Sequence, residues 1–301
     1  MPRTLMRKDP GTFKTLQLLV EASPESLSYQ SLGMPLSFAQ MLDKRKPLTV
    51  TDNQRFTVEL ANLGVSVRLT LNWHGREYWV LVRQRRADRG DVVLKLISGY
   101  VPAHELNLPL LTAIQEVAEE CLLETPEGWL GGRFGDTWLP TPYQKSLHYR
   151  ESTHFNLSAL SGAARPVQSG SLKLLERPRA YVHLPTASLQ LVYDLRLDLP
   201  RETRELSLLH VDEHLEDGQL IARLNRARPD LFLIPLDQGR PTAELLTLTH
   251  GQLSPASTRG LWLAESFATQ DGWLVRDERI RWKDWLAQQN PAPQKAPPKH
   301  G

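Results

Sequence analysis

The sequence predicts an α/β protein, a helix packed on a mixed sheet with extra chain at both ends, and three observations carry that prediction. From Val65 to Asn72 (VSVRLTLN) apolar and polar residues alternate, the period-two mark of a half-buried strand. Two further strand-like runs, 77–83 (EYWVLVR) and 91–97 (DVVLKLI), follow closely. Residues 110–123 (LLTAIQEVAEECLL) then change to helix formers, with an apolar stripe of Leu110, Ile114, Val117, Ala118 and Cys121 at three- and four-residue spacing.

The elements follow in chain order. Residues 1–60 form an N-terminal extension in which 13–21 and 36–43 read as short helices among Pro- and Ser-bearing turns. The main domain covers 61–240. Its first hairpin turns at His74, Gly75 and Arg76, and a polar turn at 85–90 leads to the third strand. Beyond the helix, 125–128 (TPEG) is a turn and 129–139 a strand bent at Gly131, Gly132 and Gly135. The small residues of 161–171 suggest an exposed loop. Residues 188–199 and 206–211 read as strands and 220–228 as a helix. A C-terminal extension, 241–288, is expected to pack on the domain, with a helix near 279–289 carrying Trp282 and Trp285. The Pro- and Lys-rich end, 289–301, reads as a disordered tail.

Composition narrows the function classes. Apolar residues at 41% and charged residues at 23% fit a folded globular chain. With 36 basic against 34 acidic side chains, net +2, there is no basic footprint for non-specific nucleic-acid binding. The single cysteine, Cys121, excludes an intrachain disulfide and fits a reducing compartment. Lys14, Gln17 and Glu21 interrupt the first apolar run and no small-residue cleavage site follows, so a signal peptide is not expected. No stretch approaches the roughly 20 apolar residues of a membrane span. A cytoplasmic protein without membrane partners is the expectation.

The chemistry is concentrated in one segment. Pro109 suits the first helical turn, with Asn107 as its candidate cap. Glu116, Glu119 and Glu120 share a helix face, so three carboxylates crowd within one turn and raise one another's pKa. Solvation alone can relieve that crowding; so can a hard divalent cation such as magnesium, which prefers oxygen ligands.

The stretch before the helix favours the cation. Gly99, five residues, Glu105, nine residues, then Gln115-Glu116-Val117-Ala118-Glu119-Glu120-Cys121-Leu122-Leu123 resembles the Nudix box: glycine, five residues, glutamate, seven residues, then Arg-Glu-aliphatic-x-Glu-Glu-x-Gly-aliphatic. The preceding VLKLISG is similar to the family's strand entering its glycine turn. Three departures stand out: the second gap is two residues longer, Gln115 replaces the arginine, and Leu122 replaces the second glycine.

The resemblance implies an α/β/α sandwich around a mixed β-sheet and hydrolysis of a diphosphate linkage in a nucleoside diphosphate derivative, using Mg2+ or Mn2+. The ISG turn is similar to the nucleotide-sugar branch of the family. Carried over by position, Glu116 and Glu120 are the main metal ligands, and Glu119 is a further ligand or helps activate water. The Ser98 carbonyl, before Gly99, completes the metal set. Glu105 and Gln115 stand behind the ligands and orient them. For a late catalytic acid the choice is Glu213, in the turn-like HVDEHLEDG, with Asp212 and Glu216 as competitors. The alternative is a catalytically inactive Nudix-fold protein that binds a nucleotide or regulates a partner. A homodimer is compatible with either.

Other features have plainer readings. Arg83 and Arg85, with Arg86, follow a strand and either meet substrate phosphates or form a solvated turn. His148 and His154 lack the cysteines or paired histidine spacing of a zinc site. Trp73 and Trp79 read as packing residues, and Ser266 lacks the flanking glycines of a nucleophile elbow.

Overall fold

The computed structural model describes residues 2–289 except 10, 12, 87–90 and 161. Twenty-five strands and three α-helices occur among the described residues, so the protein is mixed α/β with sheet dominant.

The N-terminal segment holds more strand than expected: β1 (Arg3–Lys8), β2 (Lys14–Ala22), β3 (Leu27–Ser37), α1 (Phe38–Lys44) and β4 (Phe56–Leu60). The helix expected over 13–21 is β2. Leu18 and Val20 are fully buried on one face, and antiparallel pairing with β3 and β4 uses the backbone groups a helix would satisfy internally. A run of nine residues is too short for periodicity to settle that choice. α1 lies close to its expected place, started by a reciprocal capping box between Ser37 and Gln40.

The expected strands then follow: β5 (Asn62–Trp73), β6 (Arg76–Arg86), β7 (Asp91–Lys95) and β8 (Ile97–Tyr100). His74 and Gly75 both have positive φ, 51° and 74°, as a tight type I′ hairpin requires. Of the expected turn at 85–90, Arg85 and Arg86 belong to β6, and 87–90 lie outside the described residues.

After α2 (Pro109–Glu120) come β9 (Cys121–Thr125), β10 (Gly128–Phe134), β11 (Thr137–Trp138) and β12 (Tyr149–Ala159). The expected loop at 161–171 contains β13 (Val167–Ser169), which pairs with β3; β14 (Leu172–Lys173) and β15 (Arg179–His183) follow. β16 (Ser188–Asp198), β17 (Ser207–Glu216), β18 (Gln219–Leu224) and β19 (Leu231–Asp237) come next. The helix expected over 220–228 is β18. Asp217 and Gly218, both with positive φ, turn the chain so that β18 pairs with β17, and β1 adds on its other side.

The C-terminal segment contributes β20 (Arg240–Pro241), β21 (Leu246–Thr249), β22 (Gln252–Pro255), β23 (Trp262–Ala264), β24 (Leu274–Val275), β25 (Arg279–Arg281) and α3 (Trp282–Gln289). β21 pairs with β19, β23 with β7 and β24 with β15, so this segment joins the main sheet. Of the tail expected over 289–301, Gln289 ends α3 and the remainder lies outside the described residues.

The main sheet is mixed: β5 runs parallel to β16 and antiparallel to β6 and β8. Its two faces are legible from strand parity. Leu63, Val65, Leu69 and Leu71 of β5 pack with Ala113 and Val117 of α2 and with Leu18 and Tyr29 of the small sheet β2–β3–β4–β13–β14. Trp79, Leu81 and Leu94 face the other way, onto Trp282 and Trp285 of α3. A helix and a second sheet therefore cover one face. No helix among the described residues is long and apolar enough to cross a membrane.

Candidate functional site

Glycine at position 99 is what lets α2 approach the sheet. A Cβ there would lie 1.8 Å from Glu116 Oε1, so the Glu116 carboxylate occupies the space a side chain would take. α2 begins at Pro109 after a 3-10 turn at Ala103–Glu105. Its N-cap is Leu108, without a side-chain cap. Asn107, the expected cap, instead accepts a 2.7 Å hydrogen bond from Ser169 Oγ.

The helix also stops earlier than its composition suggests. Glu120 is its last residue and Cys121 opens β9 with φ −113°. The exit needs no left-handed residue, and Leu122 is a buried strand residue, 3% exposed, where the Nudix pattern has glycine.

Four carboxylates crowd at the C-terminal end of α2. Glu116 rises well above the ordinary carboxylate range through burial, then through its neighbours Glu120 and Glu119. Glu119 is pushed up to about 7 by burial and by Glu213. Burial also raises Glu120, although Lys95 beside it pulls the other way. Glu213 rises through burial against a Tyr143 hydrogen bond that lowers it. Tyr143 Oη donates to Glu213 Oε1 at 3.2 Å and lies 3.4 Å from the Glu119 carbonyl, tying β17 to α2. Glu213 is thus beside the helix, near the end of a strand and not in a turn.

The chain supplies its own cation here. Lys95 Nζ lies 3.3 Å from Glu120 Oε1, 3.1 Å from Ser98 Oγ and 3.5 Å from the Ser98 carbonyl. It is only 14% exposed. On the other side of the same carboxylate, His210 Nε2 is 3.9 Å from Glu120 Oε2, and neither atom has a hydrogen-bond partner. Burial drives the His210 pKa down to about 4, so its imidazole is neutral at pH 7.

Glu105 is buried and held by Thr112 Oγ1 at 2.6 Å and by Gln115 Nε2 at 3.3 Å. Gln115 therefore braces Glu105, at the start of the helix, in place of a charged fork reaching a clustered glutamate.

Arg83 and Arg85 are not part of this assembly. Sheet register pairs Arg83 with Leu94 and Val82 with Lys95, so Arg83 projects from the face opposite α2. There Arg83 is ion-paired with Asp230 and stacks over Phe232 with 5.5 Å to the ring centre. Arg85 shares that parity and is exposed. Of the competitors to Glu213, Asp212 raises the Glu213 and Glu120 pKa values, whereas Glu216 pairs with Arg223 at 2.6 Å at the strand's far end.

Among the described residues, no group of three or more His, Cys, Asp or Glu side chains is placed so that it could hold a metal ion. The oxygen groups near the end of α2 are the four carboxylates, the Ser98 carbonyl, which lies 3.5 Å from Lys95 Nζ, and a buried Glu120 oxygen without a hydrogen-bond partner.

Lys95, His210 and Tyr143 were missed by sequence reading. Parity along 206–211 was a usable signal for His210, because it places Leu208 and His210 on one face and Leu209 and Val211 on the other. Comparison with known proteins gives no match to a protein-family model, a curated protein or a solved structure.

Proposed function

We propose that this chain is a divalent-metal-dependent hydrolase of Nudix type, cleaving the diphosphate linkage of a nucleoside diphosphate derivative, with a nucleotide sugar as the first candidate. The observation that carries the reading is Glu116 seated in the space left by Gly99 while Glu119, Glu120 and Glu213 gather around it, all four with raised pKa values. Protein carboxylates brought together at this density need protons or a cation.

A bound divalent ion supplies charge neutralisation for the diphosphate and lowers the pKa of its water. The chain's residues do the rest. Glu116, Glu120 and the Ser98 carbonyl would hold the ion. Glu119, with a pKa of about 7, is matched to take the proton of the attacking water near neutrality. Tyr143 fixes Glu213 beside it. Lys95 offsets part of the carboxylate charge and orients Glu120.

A panel of nucleotide sugars, dinucleoside polyphosphates and nucleoside diphosphates, incubated with Mg2+ or Mn2+, tests this. The expected result is a released nucleoside monophosphate in wild type that is lost in Glu120→Gln. Absence of product from every substrate and metal refutes it.

One observation favours the rival, a nucleotide-binding protein without turnover. Lys95 Nζ already bridges Glu120 and Ser98, where a metal is expected. Under that reading nucleotide binds without metal, no product forms, and Lys95→Met abolishes binding.

A further inference from the structure

A nucleoside diphosphate derivative is a polyanion, and the end of α2 is acidic, so such a substrate needs cations beside that cluster that are free to meet phosphate. The sheet face that carries Lys95 also carries arginines. Alternation along β7 puts Asp91, Val93 and Lys95 on the face of α2 and Leu94 on the other. β23 runs parallel to β7 with Leu263 beside Leu94, and both leucines pack in the core under α3. Trp262 and Ala264 therefore face the same way as Lys95. β25 pairs with the outer edge of β23, setting Arg281 opposite Trp262 and Arg279 opposite Ala264. An ion pair from Arg279 to Asp91 spans β23 and fixes that orientation independently.

The three side chains make one assembly. The Arg279 guanidinium lies 4.2 Å from the centre of the Trp262 ring and that of Arg281 lies 5.4 Å from it. Trp262 is half-buried and Arg281 is exposed. Asp91 neutralises Arg279, whereas Arg281 has no ion pair among the described residues. Lys95 is already engaged by Glu120. An indole ring braced by guanidinium groups, with one uncommitted cation at its edge, matches the two parts of a nucleotide. A base stacks on aromatic and guanidinium faces, and a guanidinium fork takes two oxygens of a phosphate.

We propose that Trp262 and Arg281 bind the nucleotide part of the substrate, with Arg279 positioning the Trp262 ring. The proposal rests on the diphosphate-hydrolase reading and gives the C-terminal segment, outside Gly99–Leu123, a part in that site. Binding of a free nucleotide by these side chains requires no metal.

Two assays on the full chain test it, using wild type, Trp262→Leu, Arg281→Gln and Arg281→Lys, each checked for folding by circular dichroism. Calorimetry measures binding of AMP and UMP without metal, and steady-state kinetics on whichever nucleotide sugar wild type cleaves gives kcat and KM. Trp262→Leu and Arg281→Gln should each weaken AMP or UMP binding about tenfold and raise KM about as much, with kcat changed less than about twofold. Arg281→Lys should recover part of the loss, because it keeps the charge without the fork. Arg281 is exposed, so its variants carry the test even where Trp262→Leu does not fold. Wild-type cleavage or nucleotide binding that is unchanged in folded Arg281→Gln overturns the clamp and leaves the hydrolase reading standing. Nucleotide binding that these variants weaken, with no turnover by wild type, supports the clamp and overturns the hydrolase reading. A wild type that neither binds nor cleaves any of these nucleotides overturns both.

Discussion

Consider Glu119→Gln, which removes one charge from the carboxylate cluster while keeping its shape. Burial and Glu213 lift the Glu119 pKa from an ordinary 4.5 to about 7. The folded protein therefore binds this proton more tightly than the unfolded chain. Its stabilising effect is complete below about pH 4.5 and is lost as pH rises through about 7. The interval, 7 − 4.5, corresponds to roughly 3 kcal/mol at about 1.36 kcal/mol per unit, and partial solvent access trims this to about 2 kcal/mol. The neutral amide of the variant carries no such penalty. In chelator-treated protein, denaturant unfolding from pH 4.5 to 8.5 should show wild type and variant equal at the acid end. At the alkaline end the variant should be more stable by about 2 kcal/mol, worth several degrees of Tm. On the proposed metal-dependent reading, adding Mn2+ at pH 8 should stabilise wild type and narrow the gap, since an ion held by the folded carboxylates would favour the folded state. A wild-type-to-variant difference that stays constant with pH, or a variant less stable at pH 8.5, would refute the picture of an electrostatically overloaded cluster.

Two further substitutions probe the frame around that cluster. Gly99→Ala puts a Cβ 1.8 Å from Glu116 Oε1 and should cost about 1–3 kcal/mol of stability while weakening Mn2+ binding at least tenfold; unchanged calorimetric affinity would show that Glu116 is not a ligand. Leu122→Gly empties a buried strand position and should lower Tm by on the order of 10 °C; a fall of less than 2 °C would mean that the α2–β9 exit is not built as described.

Local patterns told much of the story. The alternation of β5 and the turn at His74-Gly75 could be read directly, because one face is buried and the turn needs left-handed residues. α2 could be read for its stripe, though not for its end. Cys121 to Leu123 are apolar in a way that suits a helix face or a buried strand, and pairing with β17 decided for the strand. β2 and β18 share that ambiguity: each is a short run that suits either state, forms a hairpin with its chain neighbour, β3 or β17, and is held on its other edge by a strand distant in sequence, β4 or β1. The site divides along the same line. Glu116, Glu119 and Glu120 meet because they share a helix, which spacing reveals. Lys95 and His210 meet them through sheet register, and Tyr143 through the turn between β11 and β12, neither of which spacing reveals. Arg83 shows the converse, since closeness in sequence to β7 suggested the cleft while register sent it to the opposite face.

The charge balance at the end of α2 weighs on the choice between hydrolase and inert binder. The carboxyls with raised pKa values number four, Glu116, Glu119, Glu120 and Glu213, and the lysines that lower them are Lys95 and Lys8. If all four carboxyls ionise, the two lysines offset half of their charge and two negative charges remain, to which Asp212 and Glu105, both acting on the cluster, add further; a divalent ion would offset two. Glu116 and Glu119 stay elevated, first through burial and then through their carboxylate neighbours, and Lys95 engages only one oxygen of Glu120. Lys95 therefore reads as a partial counter-ion that holds Glu120 in place, leaving room in charge for a metal beside it.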